Sequence, residues 1–451
     1  MNLDQYKQMH VQTNRLLRRE YQVFCSYSRG TVVDRWAASY LLVKLEGRPA
    51  RAYFARAMSD WLLGLKASWC RWSQSVAKKR LVEAQIPFLF ELVISIQYLH
   101  NQILDGKAGV TTTDRIADNL LLANLLKEQL YRYIDAEVAP AYRQVVTQHI
   151  RQCFEWVDLG QQLERLTNNY RHLHQHELRD VLPDGLSQEI DLTAIQAFIQ
   201  KTKQSLPRFL HQELDHYFQR IYLTCAALFV TITQLNARVL GMAKRQVRAP
   251  LHFSVCYGIM RQLVNDNADW VSTQETLHTQ EKLSTDAGSD LRNKTLTLPL
   301  FFWLAEPHSP SSSIEQLLHD KQAWNTQAAK AAFTEIIESH ALFKAVQHTR
   351  ILAEVAVSFL PAERSDLARA CEIAHWNKFL VPVLRHPAYA DFRQTPSHRR
   401  TKQLIRQLRR ARKQGPAPTP ASAWGNWRSR LGASASPLPH AAQSALSLLR
   451  R

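Results

Sequence analysis

Glycine is scarce in this chain, with 13 in 451 residues, and few segments alternate apolar and polar side chains as a half-buried strand does. A sheet-rich fold is therefore not expected. Cysteine is sparse too. The six cysteines, at 25, 70, 153, 225, 256 and 371, show no paired spacing. That argues against a disulfide framework or a zinc site and predicts buried free thiols in a reducing compartment. Long apolar runs are lacking. The longest, 86–99 and 221–235, fall short of a bilayer span and carry polar residues, so both read as core helices. The chain opens on the polar Met1-Asn-Leu-Asp-Gln, so no secretory signal is expected and the expected location is cytoplasmic.

Acidic residues vanish after Asp391, while 13 lysines and arginines fall within 393–451. Without them, 44 basic residues face 39 acidic ones, so the formal charge of +18 shrinks to +5 for the remainder. The charge belongs to a tail.

The apolar fraction of 45% suffices for one large helical domain. Stretches 81–104, 116–134, 213–240 and 327–358 carry helical periodicity, which predicts an all-α bundle. Residues 1–80 also read as helical, with Trp61, Trp69 and Trp72 packing in a core or a dimer face. His172, His174 and His176 alternate; on a helix that spacing sends them to different faces, so they read as a solvated polar segment. Val181-Leu-Pro-Asp-Gly-Leu186 and the Pro- and Ser-rich 307–313 are loop signals, and closing helices are expected over 314–390. Segment 394–414 predicts a short basic helix with the apolar strip Leu404, Ile405 and Leu408. Such a helix suits an anionic membrane surface, or less well nucleic acid phosphates, or plain solvent. Residues 415–451, rich in Pro, Ser and Ala, predict a mostly disordered tail. The organisation expected is a helical domain over 1–393, a basic helix over 394–414 and a tail over 415–451.

The chemistry gathers in two helical segments. In Tyr257-Gly-Ile-Met-Arg-Gln-Leu-Val-Asn-Asp-Asn-Ala-Asp269, the residues Gln262, Asn265 and Asp269 share one face, beside Asp266. Oxygen donors on a rigid, otherwise apolar helix suit Mg²⁺ and a diphosphate bound to it. Ser289-Asp-Leu-Arg-Asn-Lys-Thr-Leu-Thr-Leu-Pro299 follows. Upstream, Glu91-Leu-Val-Ile-Ser-Ile-Gln-Tyr-Leu-His-Asn-Gln-Ile-Leu-Asp105 has Leu92, Ile96, Leu99 and Ile103 at helical spacing, and Asn101 and Asp105 four apart.

Together these segments resemble the trans-isoprenyl diphosphate synthases, or polyprenyl synthetases. The second aspartate-rich motif of that family, G-x-x-x-Q-x-x-D-D-x-x-D, is matched by Gly258, Gln262, Asp266 and Asp269, with Asn265 in place of the first Asp. The later D-L-R-x-G-K-x-T-L-P is matched by Asp290, Leu291, Arg292, Thr297, Leu298 and Pro299, but Lys294-Thr295 replaces Gly-Lys. The first motif keeps Glu91, Leu92, His100 and Asp105, and puts Asn101 and Gln102 where two aspartates belong.

The resemblance implies an isoprenoid synthase-like helical bundle around an apolar cavity, and an allylic isoprenoid diphosphate as substrate. It also implies Mg²⁺, held by Asp105, Asn101, Asn265, Asp266 and Asp269, with Asp105, Asp266 and Asp269 as the catalytic residues. Three of the family's six carboxylates remain, so fewer than three ions are expected. Gln262, Lys294 and Arg292 are the implied diphosphate contacts, with Arg115 and Arg51 as poor substitutes for the family's other basic residues. Ile96, Gln97 and Tyr98 fall where chain length is set, and the bulk of Tyr98 hints at a short chain. The Lys-Thr pair of the family has no counterpart near 223–225, where this chain reads Leu-Thr-Cys.

Two functions follow from the resemblance. One is a divergent prenyltransferase that ionises an allylic diphosphate. The other is an inactive prenyl synthase-like subunit that binds a ligand or a related synthase. A homodimer or a heterodimer with a related synthase is expected in either case, with peripheral contact with an anionic membrane through the basic tail.

Overall fold

The computed structural model describes residues 3–46, 49–65, 75–104, 112–166, 169–173, 190–279, 288–307, 309 and 311–361. The basic segment 394–414 and the tail 415–451 lie outside them, as do Trp69, Trp72, His174, His176 and the 181–186 loop.

The described residues form helices joined by turns and short loops. The helices are α1 (Leu3–Ser26), α2 (Val32–Trp36), α3 (Leu42–Glu46), α4 (Ala50–Gly64), α5 (Val76–Arg80), α6 (Ile86–Leu104), α7 (Thr113–Glu137) and α8 (Pro140–Leu166). There follow α9 (Gln196–Gln204), α10 (His211–Ile221), α11 (Ala227–Leu240), α12 (Lys244–Thr279), α13 (Ser289–Arg292), α14 (Leu298–Leu304), α15 (Ser313–Leu318), α16 (Thr326–Glu338) and α17 (Ala341–Ser358). Among the described residues, β pairing amounts to the isolated antiparallel bridge of Asn169 with Thr295. The all-α bundle expected from periodicity is what forms.

Local chemistry sets many helix ends. Thr31, Ser75, Thr112, Ser312 and Asn325 each accept a backbone N–H three residues on, so one otherwise unpaired donor is satisfied at the start of α2, α5, α7, α15 and α16. Gly241, at φ 66°, closes α11 in the left-handed conformation. The expected 327–358 helix is two helices, broken where His340 takes φ 59°.

Helix α11 is the centre of the bundle. Nearly every position from Ala227 to Leu240 is buried, as a helix surrounded by others requires. It packs against α4, α8 and α12, and α12 packs in turn along α17. Two spans, Val76–Leu104 and Arg208–Leu240, are long and apolar enough to cross a membrane by composition, but 83% and 78% of their most apolar windows are buried inside the molecule. They are core, as expected.

Between α10 and α11 the chain makes a wide π turn, Tyr222–Ala226. Two glycines clamp it. A Cβ on Gly160 of α8 would stand 2.7 Å from Leu223 Cβ and 2.9 Å from the Thr224 backbone nitrogen, and one on Gly258 of α12 would stand 2.4 Å from Ala226 Cα. Both helices reach the turn only because those positions lack a side chain. Gly258 of the second motif therefore persists for packing, independently of any chemistry.

A second polar network ties the amino-terminal helices. Glu20 on α1 is buried, takes a two-pronged bond from Arg80 at 2.9 and 2.8 Å, and accepts the Tyr133 hydroxyl of α7 at 2.5 Å. A buried carboxylate needs such partners.

Candidate functional site

The second motif lies on α12. Asp266 faces inward and is 2% exposed. Its Oδ2 accepts the Tyr217 hydroxyl of α10 at 2.5 Å, and its Oδ1 accepts Gln262 Nε2 from one turn earlier at 2.8 Å. Arg220, 3% exposed, sets Nη2 3.9 Å from Asp266 Oδ2 and donates from Nη1 to Glu164 Oε2 of α8 at 2.8 Å. Its Nε and Nη2 make no hydrogen bond. Burial pushes the Asp266 carboxyl above its ordinary value, against the pull of Arg220, Tyr217 and Gln262. Burial also works against the Arg220 charge, but Glu164 and Asp266 outweigh it and hold the guanidinium above its ordinary value. The ring of Tyr217 lies 5.1 Å beneath the same guanidinium.

The remaining motif residues differ in exposure. Asn265 is exposed. Asp269 is half-buried, and its Oδ2 accepts the Asp290 backbone N–H at 3.0 Å, which docks α13 onto α12. Arg292 is half-buried on α13. Lys294 is buried and pairs with Asp320 at 2.5 Å rather than standing open to a diphosphate. It takes φ 58°. This is the position where the resembling family has glycine, and the turn into α14 asks for a left-handed residue there. The lysine was displaced onto a site whose backbone suits glycine.

The first motif lies on α6. Asn101 Oδ1 accepts Gln161 Nε2 of α8, and Gln97 Nε2 donates to Asp158 of α8 at 3.2 Å. Asp105 lies outside the described residues. Glu91, also on α6, caps the next segment: its Oε1 accepts the backbone N–H groups of Arg51 and Ala52 at 2.7 and 3.0 Å, which starts α4. Lys44 pairs with its Oε2 at 3.3 Å. Ile96 and Gln97 are buried. Tyr98 is 40% exposed and stacks on Tyr40 at 5.7 Å. Arg115 is exposed at the start of α7, with its backbone N–H on the capping Thr112.

Helix α8 joins the two motifs. Gln161 reaches Asn101, and Glu164, three residues on, reaches Asp266 through Arg220. Three residues on a helix are about 4.5 Å along its axis. A third helix comes close through Cys225 in the π turn. Burial pushes its thiol up, while Arg51, Arg261 and Arg220 oppose that rise and Asp266 adds to it.

Arg220 and Arg261 were not singled out from the sequence. For Arg220 a signal existed. It falls on the apolar stripe of α10, among Leu214, Tyr217, Phe218 and Ile221, and a cation on such a stripe demands a buried partner.

Mg²⁺ can be tested against these donors. Both Asp266 oxygens are engaged, and a guanidinium stands beside one of them. Among the described residues, no group of three His, Cys, Asp or Glu side chains is arranged to hold a metal ion. Among the described residues, which do not include Asp105, the donors present do not fit a cluster of several ions.

Comparison with known proteins bears on this geometry. A family model described as polyprenyl synthetase matches residues 162–336, which include α10, α11 and the motif helix α12. No curated protein matches the chain in sequence. Among solved structures, the polyprenyl synthase of Caulobacter crescentus CB15, complexed with calcium and isoprenyl diphosphate, shares 16% identity at a TM-score of 0.57, covering 83% of this chain and 96% of its own. The decaprenyl diphosphate synthase of Rhodobacter capsulatus shares 15% at 0.58, covering 82% and 98%. The geranylgeranyl pyrophosphate synthase of Corynebacterium glutamicum, also complexed with calcium and isoprenyl diphosphate, shares 17% at 0.52, covering 82% and 96%. At such identities the structures establish a common fold. The resemblance to trans-isoprenyl diphosphate synthases, expected from the motifs, is borne out by the family model and by that fold.

Proposed function

We propose that this chain, a divergent relative of the polyprenyl synthetases, has a prenyltransferase-like function directed at an allylic isoprenoid diphosphate. The observation that carries the reading is the family match over 162–336, with Gln262, Asp266 and Asp269 lying on one helix inside the matched fold. Asp266 is already neutralised from within the chain by Arg220, so any metal would rest on Asp269 and Asp105.

A second reading, a non-catalytic subunit that binds an isoprenoid or a related synthase, is favoured by that same neutralisation. Leu120, Leu121 and Leu125 support a partner in either reading: they stand exposed on α7, with Leu121 61% exposed. A cytoplasmic location, and contact of 394–414 with an anionic membrane, complete the proposal.

The experiment is incubation of the purified chain with labelled allylic diphosphates of several lengths, with Mg²⁺ and with EDTA. Release of diphosphate that falls at least tenfold in Asp269→Asn supports the enzyme. Saturable binding without release supports the subunit. Neither binding nor release at any length overturns the enzyme and the isoprenoid-binding subunit alike.

A further inference from the structure

We infer that Arg220 is a built-in counter-ion occupying the electrostatic place of a divalent cation at the second motif, so that Asp266 ligates no metal in this protein. Three observations carry it. Asp266 is buried, and both its oxygens accept hydrogen bonds, from Tyr217 at 2.5 Å and from Gln262 at 2.8 Å. Arg220 is equally buried and cannot lose its proton at any ordinary pH. Its charge is shared between Asp266 at 3.9 Å and Glu164 at 2.8 Å, so α8, α10 and α12 close on one cation.

A divalent ion reaching Asp266 would have to compete with the Tyr217 hydroxyl and the Gln262 amide for its lone pairs, and then sit beside a fixed positive charge. Removing water from that site strengthens the repulsion. The arrangement leaves Nε and Nη2 of Arg220 with no hydrogen-bond partner. Those are donors, which suit an anionic oxygen and not a metal. The ion pair therefore does structurally what a metal bridge would do: it holds the motif helix against its neighbours.

The inference concerns the site of the proposed function but does not require turnover. Its test is Mn²⁺ binding to the full chain, read by electron paramagnetic resonance, with and without inorganic diphosphate. The chains compared are wild type, Asp266→Asn and Arg220→Met, with folding checked by circular dichroism. Wild type and Asp266→Asn should bind Mn²⁺ equally within twofold. Folded Arg220→Met, which exposes Asp266 and Glu164 to the ion, should bind it at least tenfold more tightly than wild type. Tenfold weaker binding in Asp266→Asn would overturn the inference, as would a folded Arg220→Met with no gain. Should Arg220→Met fail to fold, the first comparison still decides. Absence of diphosphate release in every variant would defeat the enzyme reading and leave this one standing.

Discussion

Replacing Gly258 by alanine should destabilise the protein, whereas the same change at Gly64 should stabilise it. Both glycines lie in helices, Gly258 in α12 and Gly64 at the end of α4. By propensity alone each alanine would gain up to about 1 kcal/mol. A Cβ at Gly64 meets nothing within 4 Å, so that gain survives. At Gly258 it would stand 2.4 Å from Ala226 Cα and 2.9 Å from Ala226 Cβ. The first of these is backbone and cannot rotate away. Forced separation of packed helices costs roughly 1–3 kcal/mol, and a clash this close to backbone takes the upper part of that range, about 2–3 kcal/mol. The net expectation is a loss of ~1–2 kcal/mol for Gly258→Ala and a gain of ~0.5–1 kcal/mol for Gly64→Ala. Gly160→Ala should also destabilise. Because it presses the same π turn from the other side, the double variant should depart from the sum of the singles. Equilibrium urea unfolding followed by far-UV circular dichroism measures all four. A Gly258→Ala variant as stable as wild type would refute the close approach of α12 to the turn.

Two further outcomes follow. Burial lowers Lys44 from its usual 10.5 to about 8, against the pull of Glu91. Between those values the unfolded chain holds this proton and the folded chain does not, so stability rises with pH across the window. Measured against Lys44→Met, wild type should gain up to roughly 3 kcal/mol between pH 8 and 10.5; parallel pH profiles would contradict it. The exposed leucines of α7 should matter for assembly: Leu121→Asp should shift the chain toward monomer in light scattering, with unfolding unchanged within ~0.5 kcal/mol, and an unaltered mass would remove α7 from the interface.

Much of the fold was legible because long helices write their period into the sequence. The stretches 81–104, 116–134 and 213–240 all became helical, the last with a π turn inside it, and the apolar 221–235 run became that turn and the first part of the buried α11. What was illegible depends on contacts from elsewhere in the chain. The π turn at Tyr222–Ala226 is shaped by Gly160 and Gly258, one far upstream and one downstream of it. The break at His340 has no glycine or proline to announce it.

At the site, Gln262 and Asp266 proved to be partners, as their spacing of four permits. Asn265 fell on the exposed side, because the inward stripe of α12 runs through Leu263, Asp266, Asn267 and Trp270. Motif matching drew attention to the missing aspartates, but it could not reveal that a guanidinium from α10 had moved in beside the remaining one. Lys294 carries the same lesson. Its charge suggested a ligand, yet its backbone reflects the geometry of a turn, and its ammonium is paired with Asp320.

The most direct measurement is a crystal structure of the full chain soaked with Mn²⁺ and a non-hydrolysable allylic thiolodiphosphate, with anomalous data. Arg220 should remain between Glu164 and Asp266, the Tyr217 hydroxyl should remain on Asp266, and no anomalous peak should lie within ligand distance of that carboxylate. A Mn²⁺ peak on Asp266, with Arg220 swung aside, would contradict the internal counter-ion and return the second motif to metal binding.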